Sequence, residues 1–436
     1  MENVLMNDGR PASAKDPYWT VVGHSMTQFL SLVEGYNANT DFAVSVSEMF
    51  VLNSLGDTDD LIPAMNFSRP GARVNDTKMG NMDLNGFCWQ PWCDLEAQTR
   101  SHCSSIVKPV PGGDLFVTHN MWTWYWQMLS VWKEYDFSLH SEGIVSSKLA
   151  FSSWPGMVSS EDDFYVTGQG FLIAETTNNV YNMTLYELLT PRTLVAWIRA
   201  RTAIYLSDTG SEWHEVFKKY NSGTYNNQWV VVDTKRYVKG SKDMQSGTVV
   251  VGSQLPHYYE YEDVSPFVSI HGYWASYNVP YFKSAWTISG YALMEQLYGD
   301  GFSWENSPRA KIFRQRQANL TDMPSIKQFM RNNDWQHDPL ALQCPMNQIS
   351  ARADLTPLDS QNKLCLRAPF GAVNAKIAAA SQIQNFTAHY IVGPTNQQQP
   401  DFQWSSEYLK SYPNFPHYGQ PLRYNFDWQT MRHPLP

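Results

Sequence analysis

The chain has 436 residues, enough to bury a substantial core in one large domain or in two to three average ones. Charged residues make up only 17% against 43% hydrophobic, which excludes a disordered or coiled-coil chain. A net charge of −9 argues against a nucleic-acid partner, and no apolar run reaches the ~20 residues of a membrane helix.

Residues 17–35 (PYWTVVGHSMTQFLSLVEG) space their apolar side chains three and four apart and predict an amphipathic helix. From Asp57 to Arg100 Asp, Asn, Gly and Pro dominate, which predicts an exposed linker or processing region, with the main domain starting near Ser101. CSSIVK (103–108) and DLFVTH (114–119), separated by Pro-Val-Pro-Gly-Gly, predict a β-hairpin. Residues 124–135 (WYWQMLSVWKEY) read as a helix, followed by strands over 148–153, 163–168, 170–177, 227–234 and 247–254. Further helices fit 192–206, 285–299 and 324–333. Strand clusters interleaved with helices, without strict alternation, predict an α+β fold.

If residues 109–113 form the hairpin loop, Cys103 lies opposite His119, with Ser105 facing Val117 and Val107 facing Leu115 on the same side. An imidazole opposite a thiol makes a nucleophile and base, because it favours the thiolate over a thiol of pKa ~8.5. An inert buried cysteine is the commoner outcome, and a one-residue slip would separate the two groups. Trp122 lies three residues beyond His119, where a strand end can face a pocket. Asp162 and Asp163 are adjacent on a strand and would point oppositely, so capping or surface roles are expected of them.

Five cysteines leave an odd one: Cys88 with Cys93 and Cys344 with Cys365 are close enough for two local disulfides, and Cys103 remains as a candidate reactive thiol. Sequons at Asn66, Asn75, Asn182, Asn319 and Asn385 point to the secretory pathway, although the first residues lack the apolar core of a signal peptide. A secretory-pathway protein whose N-terminus is truncated or mispredicted here is therefore expected. There is no Gly-x-Ser-x-Gly elbow, His-Glu-x-x-His helix or phosphate loop, and Gly168-Gln169-Gly170 has only two of the three glycines of a dinucleotide fingerprint. No cofactor or metal is expected.

HCSSIVK followed by GGDLFVTHNMW resembles the phospholipase B-like family. Further ordered matches carry the likeness to the C-terminus: FSSWPGMVSSEDDFYVTGQGFLIAETT, NSGTYNNQWVVVD, YWASYNVP, GDGFSWENSPRAKIFRQRQ, NDWQHDPL and ISARADLTP. The resemblance implies a four-layer αββα sandwich of the N-terminal nucleophile hydrolase type. It also implies scission of His102-Cys103, which separates an N-terminal segment (1–102) from the hydrolase domain (103–436). Cys103 corresponds to the nucleophile, His119 to the pocket histidine, and Trp122 to the tryptophan beside it. Thr177, or its neighbour Thr176, ends a nearby strand. Asn278 corresponds to an asparagine suited to oxyanion stabilisation, and Arg309 to an arginine that orients the nucleophile's neighbourhood or meets an anionic substrate group. The departures are the missing export signal, a bulky His102 before the scissile bond, and a single Cys344 where the family carries a close cysteine pair.

The resemblance implies a lysosomal or secreted hydrolase that releases fatty acyl chains from glycerophospholipids, with peripheral membrane contact compatible with such a substrate. An N-acyl amidase at the same site and a non-catalytic glycosylated lipid-binding protein are the alternatives. A thiol-dependent redox or zinc protein is a third. The sequence leaves the oligomeric state open.

Overall fold

The computed structural model describes residues 16–67, 103–139, 143–362, 364–413 and 415–432, so that Cys88, Cys93, His102 and the Asn75 sequon lie outside the described residues, as does the side chain of Asn66. Three helices open it: α1 (Pro17–Asn37), α2 (Val46–Asn53) and α3 (Leu55–Phe67). The Asp16 carboxylate caps α1 by accepting from the Tyr18 N–H at 3.0 Å, with Pro17 at the first helical turn, where its missing N–H costs nothing. Tyr18, Val22, Phe29 and Val33 of α1 then pack against Trp197 and Ile198. Helix α3 stands where the composition predicted only linker, because its buried Asp57 and Asp60 are anchored to the rest of the molecule rather than solvated.

The predicted hairpin is β1 (Cys103–Pro109) and β2 (Leu115–Trp124). It is followed by β3 (Val131–Asp136), β4 (Lys148–Ser153), β5 (Phe164–Thr167) and β6 (Phe171–Thr177). Next come α4 (Ala196–Leu206), α5 (Gly210–Phe217), β7 (Asn227–Asp233), β8 (Val249–Leu255) and β9 (Tyr258–Asp263). After α6 (Ser265–His271) and β10 (Trp274–Ser276), the helices α7 (Lys283–Ile288), α8 (Tyr291–Tyr298), α9 (Pro308–Arg316) and α10 (Met323–Met330) precede β11 (Phe370–Ala372), β12 (Asn374–Ala379) and β13 (Ala388–Val392). A short ribbon of β14 (Phe402–Gln403) with β15 (Arg423–Tyr424), then β16 (Gln429–Met431), completes the described chain.

Two antiparallel sheets dominate. One runs β10-β1-β2-β12-β13-β16, with β11 beside the far half of β2; the other is the meander β3 to β9. Val107, Leu115 and Val117 of the first sheet share a core with Phe164, Val166, Leu172 and Val230 of the second, so the sheets face one another. Trp213 and Phe217 of α5 cover the far side of the meander through Phe151, Tyr165 and Ile173. Phe313 and Phe329 of α9 and α10 cover the far side of the first sheet through Ile106, Phe116 and Ile377. The α+β class expected from the sequence is therefore observed.

Three local expectations are corrected. The stretch 124–135 is a short 3₁₀ turn (Tyr125–Gln127) leading into β3, because its aromatic residues pair across the sheet with β4 instead of forming one helical face. The predicted helix over 285–299 is two helices, broken at Gly290, whose φ of 96° lies outside the helical region. In the hairpin Cys103 opposes Met121 and Val107 opposes Val117, a register displaced by two residues from the expected one. Only Pro111 to Gly113 turn the chain, since Val110 donates to the Asp114 carbonyl at 2.9 Å. A shift of two preserves the face, so Cys103 and His119 still project the same way.

Candidate active site

Cys103 is the first residue of a central strand and is fully buried. Its backbone N–H donates to Asn278 Oδ1 at 3.0 Å, and Asn278 Nδ2 donates to the Thr177 carbonyl at 2.8 Å, so one amide side chain ties β1 to the end of β6 across the two sheets. Asn278 has φ of 66°, the left-handed region that Asn tolerates better than most residues; its own carbonyl accepts from the Tyr291 hydroxyl at 2.7 Å. Thr177 thus takes part through its backbone, while the Thr176 hydroxyl faces the Ser276 hydroxyl at 2.5 Å.

The six residues singled out from the sequence divide between the two faces of the first sheet. Cys103, His119 and Met121 project toward the meander, with Cys103 Sγ 3.6 Å from Met121 Sδ. Trp122 projects the other way, as alternation along β2 requires, and packs with Cys344, Met346 and Phe370. It is not at a strand end, since β2 runs on to Trp124. The Arg309 guanidinium lies 4.2 Å from the centre of the Trp122 ring and donates to the Cys103 carbonyl and, at 3.3 Å, to Ser104 Oγ. Arg309 therefore braces the backbone of Cys103 from behind. Burial lowers its pKa to about 9. A cavity of about 80 Å³ lies along this side, lined in part by Tyr277, Asn278, Phe302 and Arg309. On the thiol's side a cavity of about 100 Å³ is bounded by Gly56, Met121, Glu161, Thr177 and Tyr225.

β2 meets β12 with one extra residue, because Trp122 pairs with Ala372 while His119 pairs with Lys376. The bulge falls opposite Met121, beside the thiol, and lets Asn374 turn its side-chain oxygen toward the Met121 N–H at 3.4 Å. The disulfide Cys344–Cys365, expected from spacing, is present behind Trp122. Among the described residues Cys103 is the free cysteine.

The acidic pair 162–163, expected in capping or surface roles, is fully buried and is the part of the site that sequence reasoning missed. Asp162 is held by Lys376 at 2.8 Å, Asn374 at 2.8 Å and the Tyr390 hydroxyl at 3.1 Å. Asp163, with φ of 59°, turns the opposite way and accepts from the Tyr225 hydroxyl at 2.6 Å. One Asp163 oxygen, one His119 ring nitrogen and Cys103 Sγ all lie within 4.8 Å of one another. Glu175 of β6, also fully buried, adjoins Asp163. The signal available in the sequence was a carboxylate inside the apolar strand FLIAETT, where a charge is seldom buried without purpose.

Burial pushes the Cys103 thiol well above its ordinary value, and the Glu175 and Asp163 charges add to the rise; the Trp122 backbone N–H opposes it. Burial also holds the His119 imidazole well below its ordinary value, with the Lys376 ammonium acting in the same direction. The ground state is accordingly a neutral thiol beside a neutral imidazole. The three donor atoms are spaced closely enough to meet one cation, and Lys376 is paired with Asp162 rather than with any of the three.

Fold and site together define an α+β protein that holds a buried thiol between two antiparallel sheets, beside a histidine and a carboxyl pair. The family model described as Phospholipase B matches residues 2–431. The chain is 36% identical over 423 residues to Phospholipase B-like 1 of Homo sapiens, covering 96% of this chain and 70% of that protein. It is 35% identical over 429 residues to Phospholipase-B 81 of Drysdalia coronoides, covering 96% and 72%, and 32% identical over 432 residues to Phospholipase B-like protein A of Dictyostelium discoideum, covering 96% and 73%. The chain belongs to the phospholipase B family, as the motif resemblance implied.

Proposed function

We propose that this protein is an acyl hydrolase that releases fatty acyl chains from glycerophospholipids through Cys103. The observation that carries the reading is the hydrogen bond from the Cys103 backbone nitrogen to Asn278 Oδ1 at 3.0 Å, on a residue whose sulfur faces His119. A strand whose first residue offers both a nucleophilic sulfur and a bound backbone nitrogen suits an N-terminal nucleophile. The helical cover on the outer side of each sheet supports the four-layer αββα arrangement of that hydrolase class.

In this reading His102-Cys103 is cut, leaving residues 1–102 and 103–436 as two fragments. The freed amine, of ordinary pKa ~7.7–8.0, is then a base for its own thiol. The sulfur attacks the acyl carbonyl, and the second N–H of Asn278 Nδ2 stabilises the oxyanion. Water then releases the fatty acid from the thioester. No described helix is long and apolar enough to cross a membrane, so contact with a lipid surface would be peripheral.

The test compares fatty acid release from phosphatidylcholine and from an N-acyl amide by the wild type and Cys103→Ala, with N-terminal sequencing of both. Release from phosphatidylcholine, a new terminus at Cys103, and loss of both in the variant are expected. Preferential hydrolysis of the amide would move the assignment to an amidase. Full activity in an uncut Cys103→Ala protein would overturn the mechanism.

A further inference from the structure

The cavity on the thiol's side has a composition that acyl transfer by itself does not call for. Two of its walls belong to the site: Met121, whose sulfur lies 3.6 Å from Cys103 Sγ, and Thr177, whose carbonyl accepts from Asn278 Nδ2. Beside them the buried Trp154, Glu161 and Tyr225 line its inner part, and it reaches the surface at Asp59 and Trp126. Aromatic rings and carboxyl groups thus share the lining, and among the described residues no lysine, arginine or histidine joins them. At about 100 Å³ the cavity is far smaller than the roughly 300–1,000 Å³ that encloses a drug-sized ligand, so it suits one small group and not an acyl chain.

Glu161 carries an independent sign that a ligand is missing. The residue is 4% exposed, and its Oε2 accepts the Gly56 N–H at 3.1 Å, whereas Oε1 is buried with no hydrogen-bond partner. A buried carboxylate oxygen left in that condition is costly unless an opposite charge stands near. Burial pushes the Glu161 carboxyl well above its ordinary value, and the charges of Asp57, Asp163 and Asp59 push it the same way, with the Gly56 N–H opposing. A positive charge in the cavity would relieve both the burial and the repulsion.

The walls select the kind of cation. A primary ammonium has three donors that each need an acceptor, whereas a quaternary ammonium has none and is held by aromatic faces and by attraction to a nearby carboxylate. The rings are set before a ligand arrives: Trp154 Nε1 donates to the Gln127 carbonyl at 2.6 Å, and the Tyr225 hydroxyl to Asp163 at 2.6 Å. Helix α3 closes the wall with a glycine, since a Cβ at Gly56 would fall 2.4 Å from the Tyr225 ring.

We infer that this cavity receives the trimethylammonium of a choline head group, with Trp126 and Trp154 supplying aromatic faces and Glu161 the opposing charge, and that this seating presents the ester to Cys103. Glu161 and Trp126 are then specificity-determining residues of the acyl hydrolase. The inference rests on the proposed reading of the protein as a phospholipid acyl hydrolase, and it adds the head group to that reading. Met121 and Thr177 connect the two halves, because the same residues that bound the head-group cavity flank the thiol and the Asn278 amide.

The experiment uses the full chain, with Glu161→Gln to remove the charge while keeping the shape. The first readout is the ratio of kcat/KM for fatty acid release from phosphatidylcholine and from phosphatidylglycerol of the same acyl composition, in mixed micelles. The second is calorimetric binding of glycerophosphocholine and glycerophosphoglycerol, which have no acyl ester to cleave. The wild type is expected to favour the choline lipid by about tenfold, and Glu161→Gln to bring the ratio to within about twofold of unity. Glycerophosphocholine should bind saturably to the wild type, and that binding should be lost in Glu161→Gln. Equal wild-type rates on the two lipids, or an unchanged ratio in Glu161→Gln, would overturn the inference. So would a rate that follows added calcium whatever the head group, which would give the acidic cavity to a metal ion. Should Glu161→Gln fail to fold, Trp126→Leu at its 38% exposed position decides: a ratio lowered by about threefold or more supports the inference, and an unchanged ratio defeats it. If the wild type releases no acyl chain from any lipid, the proposed function fails. Calorimetry then still decides the cavity: Glu161-dependent binding of glycerophosphocholine keeps the assignment, and its absence removes it.

Discussion

Asn278 Oδ1 accepts the Cys103 backbone N–H at 3.0 Å although 175 positions separate the two residues. The bond depends on a left-handed backbone at Asn278, so side chain and conformation are separable. Asn278→Gly keeps the conformation and removes the amide, whereas Asn278→Ala also places a Cβ in the unfavourable region. Both variants are expected to lose about 100-fold in acyl release, the typical effect of removing one oxyanion donor. Asn278→Ala should be a further ~1 kcal/mol less stable than Asn278→Gly by urea unfolding. Equal stability of the two would refute the conformational half of the argument.

Arg309 is buried, stacked on Trp122, and supplies the donors for the Cys103 carbonyl and Ser104 Oγ. Arg309→Leu strands both acceptors and is expected to cost about 2–3 kcal/mol. Arg309→Lys should recover less than half of this, because an ammonium cannot stack and fork at once. Thermal unfolding of the three proteins checks the order.

Asp57 of α3 is fully buried, and burial raises its pKa to about 6 despite hydrogen bonds from the Thr224 hydroxyl and the Ala196 N–H. A folded-state pKa above the unfolded value means that the folded chain binds the proton more tightly. The stability Asp57 contributes is therefore full below pH ~3.8, declines as pH rises to about 6, and is flat above. The stability difference between wild type and Asp57→Asn should change in that window by at most about 3 kcal/mol. Urea midpoints measured between pH 3.5 and pH 7.5 would expose a flat difference, which would contradict this.

Asn319 and Asn385 are exposed, whereas Asn182 is half-buried and uses its side chain to cap a 3₁₀ turn and to reach the Ile288 carbonyl at 3.1 Å. Expressed through a secretory pathway, the protein should carry glycans at Asn319 and Asn385 and none at Asn182. Peptide mapping after glycosidase treatment reads this directly, and a glycan at Asn182 would show that the sequon is modified before the cap forms.

Much of the fold was legible because strand periodicity is local: KLAFSS, GFLIAETT and NQWVVVDT announce themselves by β-branched and aromatic runs. The stretch 124–135 misled because Trp, Tyr and Met suit a helix or a strand, and pairing with β4 decided between them. Asp163 misled for a related reason. Its neighbourhood reads as a polar loop, and nothing local announces that Tyr225 and Glu175 will enclose it.

By itself the sequence determined that Cys103 is the odd cysteine at the head of a strand, that His119 shares its face, and to which family the motifs belong. All three follow from counting, from the period of two along a strand, and from ordered matches. Only the tertiary structure decided which atoms meet. Trp122 and Arg309 lie behind the nucleophile, Asn278 crosses from one sheet to the other, and Asp163 and Glu175 are shut in with the thiol. Those contacts arise where separate strands pack face to face, and a buried charge acquires its partner only when a distant segment excludes the water.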